Sequence, residues 1–246
     1  MPEITPSRYL VQAGWDDVPH LDEATKKELL DSTLPHMRDA RSKGTPSLGA
    51  GAIYPIEESE ITCEPFAIPA WWPRCYGMDV GWKRTAVVWL ARDPAVDVVY
   101  AYTEHYRGQA EPSVHTTAIQ ARGDWIPGTI DPASRGRSQK DGEQLIVTYR
   151  QLGLDLTPAI NAVDAGLFAV YQRFSTGRLK IFRTCTNTLA EYRLYRRDEK
   201  GHIVKEFDHA MDALRYGIVS GIGIMKVQPQ KRLSTGVSGG DKLVGY

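Results

Sequence analysis

The sequence predicts an α/β fold in which helices cover both faces of a mixed β-sheet, preceded by an N-terminal arm. Three strand-like segments follow one another directly, and helix-like and strand-like segments then alternate. This order of elements is typical of a mixed sheet between two layers of helices. The chain has 246 residues, of which 42% are hydrophobic, so it is long enough to bury a large core.

The predicted strands are short runs rich in apolar and aromatic residues. They cover residues 75–81, 85–91, 96–106, 126–131, 154–157 and 178–182. Helices are predicted over roughly residues 22–34, 36–43, 111–122, 141–152, 161–174 and 209–222. A further helix opens the segment 185–206 and runs into a hairpin that turns at Asp198-Glu199-Lys200-Gly201.

The composition divides the chain into three parts. Residues 1–62 are predicted to be an arm or linker, because the turn-rich segment 44–51 precedes the β pattern. Residues 63–225 contain the predicted strands and most helices and form the predicted core domain. Residues 226–246 are rich in Gly, Ser, Lys and Gln, and a poorly ordered tail is expected there.

Composition also excludes several classes of protein. There is no apolar run of about 18 residues and no charged-then-apolar leader, so neither membrane insertion nor secretion is expected. The three cysteines form no close pair, which argues against a disulfide framework and for a reducing, cytoplasmic setting. The formal net charge is zero, but residues 173–205 contain nine Lys or Arg against three acids. Such a basic surface is the usual footprint for a phosphate backbone, and the alternative is a solvated helix or hairpin face.

Three widely separated acidic motifs carry the functional prediction. Asp79 and Asp131 each end an apolar, strand-like run, whereas Asp208 and Asp212 lie one helical turn apart. Cleavage of a phosphodiester needs a nucleophile formed from water near neutral pH and compensation of the charge on the phosphate. Two divalent cations about 3.5–4 Å apart supply both. Mg²⁺ and Mn²⁺ prefer oxygen ligands and keep several waters, so a few Asp side chains suffice to bind them.

The fold predicts that these acids meet. Asp79 and Asp131 are expected at one end of the sheet. The last helix packs on the sheet through an apolar stripe formed by Met211, Leu214, Ile218 and Ile222. Asp208 and Asp212 lie beside that stripe, so we expect them at the rim of the helix, within reach of a strand-end acid.

The acids also have simpler structural interpretations. Asp131 precedes Pro132 and could serve only as a turn former, and Asp208 lies where a helix N-cap would be. Asp212 is inside the helix, where Asp is a poor helix former, and this favours a ligand role. Arg215 either pairs with Asp212 or contacts DNA, and pairing is the favoured interpretation.

Basic residues near these acids are the candidate DNA contacts. One pair lies in the turn after the first acidic motif, and a basic loop without periodicity follows Asp131. The candidates are Lys83, Arg84, Arg135, Arg137, Lys140, Arg196 and Arg197. Hairpin turns commonly carry such residues without binding DNA, which is the alternative for the first pair.

Taken in order, these motifs resemble the C-terminal nuclease domain of the large terminase subunit of tailed bacteriophages, whose fold is RNase H-like. The resemblance covers nearly the whole chain up to about residue 225. Its marks are Trp15-Asp16-Asp17-Val18-Pro19-His20-Leu21, the connector from Gly44 to Pro55, Gly77-Met78-Asp79-Val80-Gly81, Asp131-Pro132 with the basic loop, and the segment from Asp208 to Tyr216.

The resemblance implies a metal-dependent endonuclease that cuts concatemeric viral DNA during packaging, with two Mg²⁺ or Mn²⁺ ions. It implies Asp79 and Asp131 as metal ligands, with either Asp208 or Asp212 as the third. The family often has two adjacent acids where this chain has Asp208-His209. His209 is therefore a further candidate, either as a ligand or in support of one.

The resemblance also concerns partners. Large terminases carry a packaging ATPase, but this chain has no Gly-x-x-x-x-Gly-Lys-Ser/Thr phosphate loop, so ATP hydrolysis is not expected. Residues 1–62 resemble the end of the ATPase domain and its linker. The implied partners are double-stranded DNA, the portal protein, the small terminase subunit and a packaging ATPase domain, in the host cytoplasm. The alternatives are an RNase H-like recombinase or resolvase, and a non-catalytic module that docks on DNA or the portal.

Overall fold

A seven-stranded mixed sheet forms the centre of this computed structural model, which describes residues 3–5, 8–9, 14–33, 42, 51–135, 144–198 and 200–229. The strands in chain order are β1 (Glu3–Thr5), β2 (Arg8–Tyr9), β3 (Thr62–Cys63), β4 (Arg74–Asp79), β5 (Thr85–Asp93), β6 (Val98–Arg107), β7 (Gly128–Ile130), β8 (Leu156–Pro158) and β9 (Leu179–Phe182). β1 and β2 form a separate two-stranded sheet, and the seven-stranded sheet has the order β3-β9-β6-β5-β4-β7-β8. β4, β5 and β6 are antiparallel neighbours, whereas β3, β7, β8 and β9 join in parallel pairs.

Helices lie on both faces of the sheet. The helices in chain order are α1 (Glu23–Asp31), α2 (Glu58–Ile61), α3 (Pro112–Gln120), α4 (Leu145–Gln151), α5 (Val163–Ser175), α6 (Thr186–Leu194) and α7 (His209–Tyr216). Of these, α3 and α4 pack on one face, and α5, α6 and α7 pack on the other. A π-helical turn (Gly217–Gly221) and a 3-10 turn (Ile222–Ile224) continue α7, and 3-10 turns also cover Trp15–Asp17 and Pro132–Arg135. None of the described helices combines the length and the apolar character needed to cross a bilayer.

Alternating side chains of the central strands build two separate cores. Cys75, Val88 and Leu90 pack in a cluster with residues of α5, α6 and α7. Tyr76 and Trp89 pack on the other face with residues of α3 and α4. The predicted mixed sheet with helices on both faces is therefore confirmed.

Most predicted elements are present with small shifts, and each predicted strand begins within two residues of an observed one. Gly201 N donates to Asp198 O over 2.9 Å, which confirms the predicted hairpin turn. The predicted last helix over about 209–222 is confirmed, although α7 passes into a π-helical turn after Tyr216 and into a 3-10 turn after Gly221. Four predicted features lie wholly or partly outside the described residues. They are the helix over 36–43 apart from Ser42, the basic loop beyond Arg135, Glu199 of the hairpin turn, and the tail beyond residue 229.

Residues 51–62 pack into the core of the sheet. Ile53 and Ile61 are fully buried, and Tyr54 lies parallel to the ring of Tyr192 with 6.2 Å between centroids. Neither α2 nor β3 in this region was predicted. The domain boundary placed at residue 63 stays a prediction.

His105 on β6 and His115 on α3 form a partly buried pair, with 2.9 Å between His105 Nε2 and His115 Nδ1. Burial, together with the neighbouring His115 and arginines, lowers the pKa of His105 from 6.5 to about 4. Burial also lowers the pKa of His115. Both rings are therefore neutral in the folded protein near neutral pH.

We expect this pair to make the fold sensitive to acid. The unfolded chain takes up a proton near pH 6.5, whereas the folded chain keeps His105 neutral down to about pH 4, so the free energy of unfolding falls as the pH is lowered through this window. The slope for one histidine stays below about 1.4 kcal/mol per pH unit. Urea unfolding at about pH 7 and about pH 5 measures this decrease in the free energy of unfolding. Between these two pH values His105→Gln should lose less stability than the unaltered protein. Equal losses in the two proteins would contradict this assignment.

Candidate metal centre

Asp79 and Asp131 lie side by side at the ends of neighbouring parallel strands. Met78 on β4 pairs with Ile130 on β7, and each acid is the next residue along its strand direction. Asp131 N donates to Met78 O over 3.0 Å, which fixes the two chain segments together at this point. The predicted meeting of the two strand-end acids is therefore confirmed.

The two ends of α7 contact these two acids. His209, at the start of the helix, places its Nδ1 2.8 Å from Asp79 Oδ2. Tyr216, at the end of the helix, donates its hydroxyl to Asp131 Oδ1 over 3.2 Å. Burial and the nearby carboxylates raise the pKa of Tyr216, so the phenol stays protonated and remains a donor. The helix thus orients both carboxylates.

Negative charge is concentrated around Asp79. The side chain of Asp79 is 14% exposed, and burial is the main cause that raises the pKa of this carboxyl. The carboxylates of Asp212 and Asp131 raise it further, whereas the hydrogen bond with His209 lowers it. The same hydrogen bond raises the pKa of His209. Burial and mutual repulsion disfavour the ionised form of these carboxylates. A bound cation would stabilise that ionised form.

Asp212 is held by three side chains. Its Oδ1 accepts from Tyr195 Oη at 3.1 Å and lies 3.0 Å from Arg215 Nη2, and its Oδ2 lies 3.3 Å from Lys205 Nζ. The predicted pairing with Arg215 is confirmed. Asp208 has Lys205 Nζ at 3.1 Å. Both acids are more buried than a position at the rim of the helix predicts, with 5% of Asp208 and 6% of Asp212 exposed.

The N-terminus of α7 is capped by Glu191, a residue outside the three acidic motifs. Asp208 is at the N-cap position, but its side chain makes no capping hydrogen bond. Glu191 on α6 instead accepts from Ala210 N at 2.5 Å and from Met211 N at 3.2 Å. Glu191 and Lys205 belong to the charged segment 173–205, and their contacts with α7 arise only from tertiary packing.

The donor set suits a hard divalent cation. Among the described residues, no group of three or more His, Cys, Asp or Glu side chains is arranged closely enough to form a complete metal cage. Mg²⁺ and Mn²⁺ do not need one, because they keep several waters and bind through one or two carboxylates. Asp79 and Asp131 supply oxygen donors on adjacent strand ends, and His209 lies against the first of them.

The predicted DNA contacts are in different environments. Lys83 is exposed in the turn between β4 and β5, whereas the guanidinium of Arg84 lies over the ring of Tyr106 at 4.7 Å. Arg196 is exposed, but Arg197 is 3.1 Å from Asp164 and is largely buried. The side chain of Arg135, and Arg137 and Lys140 entirely, lie outside the described residues. All these DNA contacts stay predictions.

Comparison with known proteins places the chain in a family. The sequence profile of the Terminase RNaseH-like domain matches residues 76–220, which is more than half of the chain. The large terminase subunit of Salmonella phage P22 is 33% identical over 215 residues, covering 82% of this chain and 42% of that protein. The chain therefore spans less than half the length of this relative.

Solved structures agree with this assignment. The P22 large terminase nuclease domain has a TM-score of 0.66 and 29% identity, covering 74% of this chain and 97% of that domain. A large terminase from a thermophilic bacteriophage shares the fold, with a TM-score of 0.62 and 21% identity over 83% of this chain and 54% of that one. The nuclease of another thermophilic phage, G20c, solved with bound cobalt, has a TM-score of 0.50 and 12% identity over 69% of this chain and 97% of that chain. This protein belongs to the terminase RNase H-like domain family of phage large terminase subunits.

Proposed function

We propose that this chain is a metal-dependent endodeoxyribonuclease that cuts concatemeric viral DNA during genome packaging. The observation that carries the proposal is the pair of strand-end carboxylates, Asp79 and Asp131, oriented by the two ends of one helix. Membership of the terminase family and 29% identity to the P22 nuclease domain support it.

Each residue then has a distinct part in the reaction. Asp79 and Asp131 would hold two Mg²⁺ or Mn²⁺ ions. When bound, such ions supply a nucleophile from water near neutral pH and offset the charge that develops on the phosphate. Tyr216 orients Asp131 through its hydroxyl. Arg215 and Tyr195 hold Asp212 at a distance where its charge still acts on Asp79.

The last helix contributes the third donor, and we assign it to His209. Of the three candidates on this segment, His209 is the side chain in contact with Asp79. Asp208 and Asp212 both lie against Lys205, and Asp212 is also occupied by Arg215. Asp208 and Asp212 would then complete the negative field around the ions. An imidazole ligand shifts preference from Mg²⁺ toward Mn²⁺ and Co²⁺.

The wider setting follows from the same assignment. Double-stranded DNA would approach over the exposed basic residues, including Lys83 and Arg196. The portal protein, the small terminase subunit and a packaging ATPase domain would be the protein partners, in the host cytoplasm. No ATPase activity is proposed for this chain.

Cleavage of supercoiled plasmid with Mg²⁺, with Mn²⁺ and with EDTA tests the proposal. Asp131→Asn should lower the cleavage rate by more than the roughly 10- to 100-fold loss that is typical of residues that only support a ligand. Tyr216→Phe should fall within that supporting range. Asp124, exposed beyond the opposite end of β7, provides the matched control, and Asp124→Asn should cut normally.

Metal binding is measured separately by calorimetric titration of Mn²⁺. Asp131→Asn should weaken Mn²⁺ binding, and His209→Asp should shift the preference from Mn²⁺ toward Mg²⁺. Folded protein that binds Mn²⁺ but never cuts DNA would favour the docking function instead. Cutting that persists in EDTA would overturn the metal-dependent mechanism.

A further inference from the structure

Two strongly exposed aromatic side chains flank the carboxylates in the chain. Trp82 lies three residues after Asp79 and is 65% exposed, which is the largest value among the big apolar side chains of the described residues. Phe207 immediately precedes Asp208 and is 57% exposed. Neither ring contacts another aromatic ring within the part of the chain that the structure describes.

The turn that carries Trp82 is firmly held. Gln109 N donates to Trp82 O over 2.8 Å, and the Thr85 hydroxyl donates to Gly81 O over 3.2 Å. A Cβ atom added to Gly108 would lie 2.0 Å from Lys83 O, so this glycine allows the backbone to pack closely against the turn. The exposed indole therefore projects from a fixed support, and the next residue in the chain is the exposed Lys83.

Phe207 has an unusual backbone conformation. Its φ angle is +56°, in the left-handed region that favours glycine and is rare for a bulky residue. Strain of this kind is found preferentially at functional sites, where the surrounding structure maintains it. Phe207 is also two residues after Lys205, whose Nζ lies 3.1 Å from Asp208 and 3.3 Å from Asp212. The strained residue thus adjoins the acidic cluster directly.

We propose that Trp82 and Phe207 stack on DNA bases next to the scissile phosphate. Aromatic rings beside cations are the usual elements of a surface that binds unpaired nucleotides, because every base has a face that can stack. Stacking requires bases that are locally out of the duplex, so this surface binds unpaired DNA better than closed duplex. The inference rests on the proposed nuclease function, and it adds the local DNA structure that the site recognises.

Fluorescence anisotropy with a labelled oligothymidine and with a duplex of equal length, both in EDTA, tests this proposal without metal or cutting. Trp82→Ala and Phe207→Ala should each weaken binding of the single strand about 10-fold, with a smaller loss on the duplex. Trp82→Phe should retain most of the affinity. Trp71 is 59% exposed at the opposite end of β4, and Trp71→Ala provides the matched control that should bind normally.

Phe207→Gly separates stacking from a purely structural role. It should raise the urea midpoint of unfolding, because glycine accepts a positive φ angle without strain, while it weakens binding of the single strand. Unchanged single-strand affinity in both Trp82→Ala and Phe207→Ala would overturn the proposal. Because these assays need no catalysis, their outcome is independent of whether the plasmid is cut.

Discussion

Gly77→Ala should prevent α7 from packing on β4 and should destabilise the fold strongly. A Cβ atom at this position would lie 1.9 Å from Ala213 O and 2.7 Å from Gly217 N, both of which are backbone atoms of the helix and its continuation. A side chain could rotate away from such a contact, but the backbone of a packed helix cannot. The expected cost is therefore at or above the upper end of the range of about 1–3 kcal/mol for overpacked cores.

Urea unfolding of Gly77→Ala measures this cost against Gly223→Ala. No atom lies within 4 Å of a Cβ added to Gly223, so that substitution should change the unfolding midpoint little. If some Gly77→Ala protein folds, the displaced helix should also separate His209 from Asp79 and weaken Mn²⁺ binding. An unfolding midpoint equal to that of the unaltered protein would contradict the close packing described here.

The sequence predicted the sheet well because its central strands have strong local patterns. Residues 85–91 form an apolar run that matches a strand buried on both faces. α2 and β3 were missed, because a four-residue helix and a two-residue edge strand leave no periodicity. The change to a π-helical turn at Gly217 within the last helix was not predicted, because it has no clear local signal.

The same distinction applies to the site. The juxtaposition of Asp79 and Asp131 could be predicted, since both acids end apolar strands and such ends meet at one edge of the sheet. The contacts of Glu191 and Lys205 with α7 could not be predicted. They form only because the connection from α6 to α7 folds back and brings these residues together. Sequence patterns therefore identify the carboxylates, whereas the residues that hold them are found only in the structure.

Arg215→Met should destabilise the protein by about 3–5 kcal/mol, because it leaves the buried carboxylate of Asp212 without its closest cation. Only 2% of the Arg215 side chain is exposed, and its Nη2 lies 3.0 Å from Asp212 Oδ1. Burial opposes the charge on Arg215, but the carboxylate of Asp212 outweighs it and raises the pKa of the guanidinium. The stem of Arg215 also packs on Gly166 of α5, where a Cβ atom would lie 2.9 Å from Arg215 Cδ. Urea unfolding measures the loss.

The double variant Asp212→Asn with Arg215→Met distinguishes charge from packing. If the missing charge of Arg215 causes the loss, removing both charges should restore much of the stability, since replacing a buried ion pair as a whole is often close to neutral. Met retains much of the apolar volume of the Arg stem, so packing against Gly166 changes little. A double variant as unstable as Arg215→Met would show that the stem matters more than the charge. Recovery of stability without recovery of cleavage would show that the pair contributes to the metal centre through the charge of Asp212 near Asp79.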